Sequence, residues 1–134
     1  MTAARRALRI LSEGRALAHD LRVTMATMRE VEKARFLEGP APLVARLRER
    51  GLQAGVRTPE ARRRLLRVIH HLDRFMSGGP NCYRRSLVRV ALDERSAREP
   101  FVLGLNRPND APNGHAWIEA DGEGAERFDV EFRI

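Results

Sequence analysis

Apolar residues return along the first part of the chain at the spacing of an α-helix. Leu8, Leu11, Leu17, Leu21, Met25 and Met28 recur at intervals near three, four and seven. That period predicts one or two amphipathic helices between Thr2 and about Phe36. The Met25 and Met28 pair suits a core position better than a partner-binding groove. Gly39-Pro40-Ala41-Pro42 breaks the pattern, and Leu43, Val44 and Leu47 mark a short helix with Gly51 as its stop. Thr58-Pro59-Glu60 is a helix start, with a Thr cap, Pro at the first helical position and an acid near the positive end of the dipole. Leu65, Ile69, Leu72 and Met76 then form one stripe, ending at Ser77-Gly78-Gly79-Pro80.

A further helix is expected from Pro80 to about Ala97, with Leu87, Val88, Val90, Ala91 and Leu92 facing inward. After Glu99-Pro100 the period changes. Phe101 to Leu105 reads as a buried strand, followed by a loop rich in Asn, Asp and Pro from Asn106 to Asn113. His115–Ala120 and Glu126–Phe132 read as two more strands joined in a hairpin around Asp121-Gly122-Glu123-Gly124. Helices followed by a small antiparallel sheet make an α+β arrangement.

A length of 134 residues is one domain's worth of protein, with a helical part over 1–57 and a core over 58–134. No stretch reaches the ~20 apolar residues of a membrane-spanning helix. The basic N-terminus lacks the apolar segment of a signal peptide, so the expected place is the cytoplasm. The net charge of +7 is carried almost wholly by arginine, with Lys33 the only lysine. Such a bias often reflects genome composition and could equally serve an acidic partner, a nucleic acid or a membrane surface, so charge alone decides nothing. Nucleic acid is a poor fit, because aromatic residues make up only 5% of the chain and no nucleic-acid-binding motif occurs. A single cysteine excludes an internal disulfide and a cysteine-rich zinc site. His70 and His71 lack an acid or cysteine at ligand spacing and read as solvated or hydrogen-bonded. No metal or organic cofactor is expected.

Cys82 follows Gly78-Gly79-Pro80 and falls in the first turn of a helix, where unpaired N–H groups and the dipole favour a thiolate. On that position alone, a nucleophile and a buried core thiol are equally good readings. His115 tips the balance: it opens a strand after a loop, where a base is held rigidly beside a cleft. Asp129 is the expected third member. If the last two strands pair with their apolar faces matched, Asp129 shares a face with His115 and lies directly across or one diagonal away. Asp121, at the far end of the hairpin, is the alternative acid. Arg84, Arg85 and Arg89 flank the nucleophile and read as a solvated charged face rather than as substrate contacts.

The segments Asn81-Cys82-Tyr83-Arg84-Arg85-Ser86-Leu87 and Gly114-His115-Ala116-Trp117-Ile118-Glu119-Ala120-Asp121-Gly122 resemble the transglutaminase-like leader peptidases of lasso-peptide biosynthesis. The resemblance runs from about Ala61 to the C-terminus, and more weakly through the Leu43–Gly51 helix. It implies a papain-like core in which Cys82 is nucleophile, His115 is base, and an acid on the next strand orients the base. The hairpin Asp121–Gly124 is slightly longer than usual in that family, which moves the expected acid. The resemblance further implies removal of a leader from a ribosomally made precursor. The expected partners are the precursor leader, a separate leader-recognition protein and a ring-closing enzyme. Two other readings stay open: acyl transfer to an amine, and a non-catalytic basic adaptor for an acidic peptide or nucleic acid.

Overall fold

A computed structural model describes residues 2–106, 114–121 and 128–134. The element order is α1 (Ala3–Leu37), α2 (Pro40–Gln53), α3 (Pro59–Phe75), α4 (Cys82–Leu92), α5 (Glu94–Ala97), β1 (Phe101–Leu105), β2 (Gly114–Ile118), a 3-10 turn (Glu119–Asp121) and β3 (Val130–Arg133). The protein is α+β, as the order of periods predicts.

The apolar stripes of the helices converge on α4, which touches α1, α2, α3 and β2. Leu87, Val88 and Val90 of α4 are fully buried against Met28 and Val31 of α1, Leu43, Val44 and Leu47 of α2, and Leu65 and Ile69 of α3. Each such side chain contributes roughly 1.5–3 kcal/mol on leaving water. Met28 is core as expected, while Met25 is only partly buried.

Thr58 caps α3, its hydroxyl accepting from the Ala61 N–H at 3.2 Å, with Pro59 and Glu60 in the first turn. Three expectations change. Gly51 does not stop α2 but lies inside it, buried, where a Cβ would come within 1.9 Å of the Val90 carbonyl oxygen. Its lack of a side chain is what lets α2 press against α4. The helix expected to reach Ala97 divides at Asp93, whose carboxylate accepts from the Ser96 N–H and hydroxyl and from Arg62. That side chain starts a new helix, α5, in place of continuing the old one.

The third change concerns the sheet. Its order is β2-β1-β3, with both outer strands antiparallel to β1. The expected hairpin between the last two strands is therefore absent: β2 and β3 both pair with β1, which lies between them. Phe101 and Val102 of β1 are fully buried, and a strand this apolar is best placed where both edges are paired. Beyond Ile118 the chain leaves the sheet in the 3-10 turn, where Arg89 of α4 grips Asp121 at 2.5 Å. That contact draws the chain toward α4 rather than back along β2. Of the expected turn, Gly122, Glu123 and Gly124 lie outside the described residues, as do 107–113 of the preceding loop, residue 125, and 126–127 of the strand expected to begin at Glu126. Arg48 fastens α2 to the sheet, its guanidinium donating to the carbonyls of Ala97, Glu99 and Ile134 at 3.0, 3.2 and 2.7 Å.

Candidate active site

The turn that delivers Cys82 is built from the end of α3. Gly78 and Gly79 have φ of 86° and 77°, a left-handed backbone that side chains rarely adopt, and they reverse the chain after Met76. Asn81 then caps α4, its Oδ1 accepting from the Arg84 N–H at 2.9 Å. Cys82 is the first helical residue, half-buried against the core. Its neighbour Tyr83 packs edge-on against Phe101 at 6.0 Å between centroids, and burial pushes the phenol up from its ordinary range.

Beneath this turn lies a charged network that sequence reasoning missed. Arg84 was read as part of a solvated face, yet its side chain is 1% exposed. Its Nε donates to Asp73 Oδ1 at 2.7 Å, and its terminal nitrogens donate to the carbonyls of Asp73 and Gly79 and to Glu32 of α1. Asp73 is equally buried and accepts the Asn81 N–H at 3.0 Å through its other oxygen. One ion pair thus fixes both ends of the turn that precedes the thiol. Burying charge is tolerated here because nearly every donor and acceptor has a partner. Nothing in a helical period distinguishes such an arginine from a surface one. Arg85 is half-buried beside Asp73 at 3.4 Å, and Arg89 is engaged with Asp121, so neither stands free in solvent.

Two contacts set how α4 lies along β2. The Ser86 hydroxyl donates to the Ala116 carbonyl at 3.3 Å, and one turn further on Arg89 reaches Asp121. Helix and strand therefore run in the same direction. Stepping back one turn from Ser86 brings Cys82 level with the start of β2, where His115 sits. Cys82 and His115 thus stand at the same end of one helix–strand interface. Their side chains are nevertheless disposed differently. Phe101 and Ala116 face the helices, so by alternation His115 and Trp117 leave the sheet on its other face. There the imidazole stacks on Trp117 at 5.6 Å and on Phe128 at 6.1 Å, and the two aromatic rings stack on each other at 5.7 Å. This ring cluster lies over β2 and the central strand β1.

Gly104 makes the cluster possible. It pairs with His115 on one side and Glu131 on the other, and a Cβ there would lie 2.6 Å from the Phe128 ring and 2.9 Å from Trp117. Neither Gly104 nor Phe128 was singled out from sequence, since the crowding comes from a residue 24 positions away.

Asp129 immediately precedes β3, its backbone N–H donating to Asn106 Oδ1 at 3.0 Å. It lies outside the regular alternation of β3, next to Phe128, whose ring is on the His115 face. With β1 intervening it lies two strands away, about 10 Å in strand spacing, rather than directly across. Asp121, the alternative acid, is held by Arg89 at the opposite end of β2. His70 and His71 are exposed on α3, their rings edge to face at 5.9 Å. Among the described residues no cluster of His, Cys, Asp and Glu is arranged to hold a metal ion, and no helix is long and apolar enough to cross a membrane.

Compared with known proteins, residues 23–128 match the sequence family described as the transglutaminase-like superfamily. Neither the curated proteins nor the solved structures yield a match. The matched span runs from the buried half of α1 through Cys82 and His115 to Phe128.

Proposed function

Because the chain belongs to the transglutaminase-like superfamily, a fold of cysteine peptidases and acyl transferases, we propose that it is a cysteine peptidase that removes the leader from a ribosomally synthesised lasso-peptide precursor. The observation that carries the chemistry is the placement of Cys82 at the capped first position of α4, level with His115 on β2. Substrate, leader-recognition protein and ring-closing partner rest on the resemblance of the Cys82 and His115 segments to that peptidase family.

In this reading His115 takes the thiol proton of Cys82, and the thiolate attacks the scissile carbonyl. The N–H groups at the start of α4 face the developing oxyanion. The tetrahedral intermediate collapses as the imidazolium returns the proton to the leaving amine. Water, deprotonated by the same imidazole, then attacks the thioester; the acyl group departs as a carboxylic acid and the thiol regains its proton. Asp129 is the proposed orienting acid, at the strand end that Asn106 holds. To reach the thiol, the His115 ring must leave its stack and pass the outer edge of β2, which no described strand covers.

The stack of His115 on Trp117 and Phe128, on the face away from α4, favours the non-catalytic adaptor as the second reading. The rate of Cys82 alkylation by iodoacetamide as a function of pH separates the two. A Cys–His couple gives alkylation that persists to a pH at which ordinary thiols are slow and that slows in His115→Ala. A thiol that reacts only after unfolding, or equally fast in the variant, removes the peptidase reading. With a couple established, a glutamine peptide and a labelled amine distinguish hydrolysis from amine transfer.

A further inference from the structure

The N-terminal half of α1 and the groove it forms with α3 take no part in the chemistry at Cys82. Every residue from Thr2 to Arg15 is exposed. Firm contact with the body begins at Asp20, which is buried and paired with Arg57 at 3.1 Å and Arg64 at 2.7 Å. A helical stretch this short is marginal in water without a packed face. It does carry an apolar stripe: Ile10, Leu17 and Leu21 share one side of the helix and are 60%, 42% and 40% exposed. Leu17 and Leu21, with Val68 and Leu72 of α3, line a groove of 690 Å³. Gly14 lies on the same stripe, and a Cβ there would meet nothing within 4 Å. Glycine inside a helix costs stability, yet no contact described within this chain requires it. A second backbone approaching the groove would.

Charge identifies the occupant. The exposed segment bears Arg5, Arg6, Arg9 and Arg15 against Glu13, which Arg9 already engages at 2.7 Å. Across the groove Glu60 is engaged by Arg63, leaving Arg67 and His71 at the rim. The floor is apolar, the acids Glu13 and Glu60 are each paired with an arginine and Arg64 with Asp20, and the excess of charge is positive, on Arg67 and on the exposed arginines of α1. A second copy of a chain with charge +7 would set arginines against arginines. A bilayer surface would touch the rim but not fill a groove floored by Val68, which is 5% exposed.

The geometry points to the α1–α3 groove as a docking surface for an acidic amphipathic helix of a partner protein. Its apolar stripe covers Ile10, Leu17, Leu21 and Val68, and its carboxylates meet Arg6, one turn before Ile10 on the same side, and Arg67. This site is independent of the reaction at Cys82.

The test is fluorescence anisotropy of the full chain with synthetic helical peptides about 18 residues long. One carries leucines at helical spacing with glutamates elsewhere, a second replaces the glutamates by lysines, and a third scrambles the leucines. The expected result is binding of the first at least about tenfold tighter than of the other two, weakening with salt. Arg67→Glu, an exposed position, and the pair Leu17→Glu with Leu21→Glu each weaken it by about tenfold or more, with unchanged circular dichroism and Cys82 alkylation. If the leucine pair unfolds the chain, Arg67→Glu alone decides. Equal binding of the lysine or scrambled peptide, or binding indifferent to Arg67→Glu, overturns the proposal. So does a chain that sediments as a dimer dissociated by the leucine variants. Binding to vesicles of phosphatidylcholine and phosphatidylglycerol that Arg67→Glu abolishes, with no peptide binding, assigns the surface to membrane instead.

Discussion

Arg84 and Asp73 form an ion pair at 2.7 Å, with side chains 1% and 0% exposed, directly beneath the turn that presents Cys82. Removing one partner leaves the other charged and buried. Arg84→Met is expected to cost about 3–5 kcal/mol, and the double variant Arg84→Met with Asp73→Leu less than the sum of the single changes. Urea unfolding of the three variants measures this coupling. Additive losses would mean that the pair does not act as a unit.

Asn81 acts on the thiol through a shorter route. Its side chain holds the Arg84 N–H while its own N–H is held by Asp73. Asn81→Ala should lower stability by about 1 kcal/mol. Asn81→Asp, which keeps the cap and adds a negative charge beside the helix start, should retain stability yet slow Cys82 alkylation. Alkylation by iodoacetamide at fixed pH, alongside thermal melts, separates the two effects.

Gly104 supports the ring cluster at His115. Gly104→Ala brings a methyl against Phe128 and Trp117 and is expected to destabilise by about 1–3 kcal/mol. Trp117 is the sole tryptophan, so its fluorescence and near-ultraviolet dichroism report directly on the stack. An unchanged spectrum would show that the rings do not crowd the strand.

Stability should also fall in acid for an identifiable reason. A hydrogen bond from Arg35, reinforced by Arg84 and opposed by burial, holds Glu32 below its ordinary 4.5. Burial pushes Asp93 up, but bonds from Arg62 and Ser96 outweigh it and hold the group below 3.8. Both carboxyls are lowered by folding. Their contribution is therefore complete above the unfolded values and is lost as pH falls through the folded ones. Urea midpoints should stay level from about pH 7 to about pH 5, then drop below about pH 4.5. Glu32→Gln should make the drop shallower; a drop of unchanged steepness would exclude Glu32 as a contributor.

The chain's own residues were enough to show that helices precede strands, that Thr58 opens α3, and that Cys82 opens a helix with His115 on a later strand. These signals are local: a cap, a proline or a 3.6-residue period acts within one or two turns, whatever the rest of the molecule does. Other features were decided only when distant segments met. Gly51 looked like a helix stop because its reason for being glycine is the Val90 carbonyl of another helix. Arg84 looked solvated because Asp73 and Glu32 reach it from α3 and α1. Alternation within each strand was legible, since it belongs to the strand alone. The pairing was not, because which strand takes the centre depends on the whole apolar surface to be covered. That competition placed β1 between β2 and β3 and moved Asp129 a full strand away from His115.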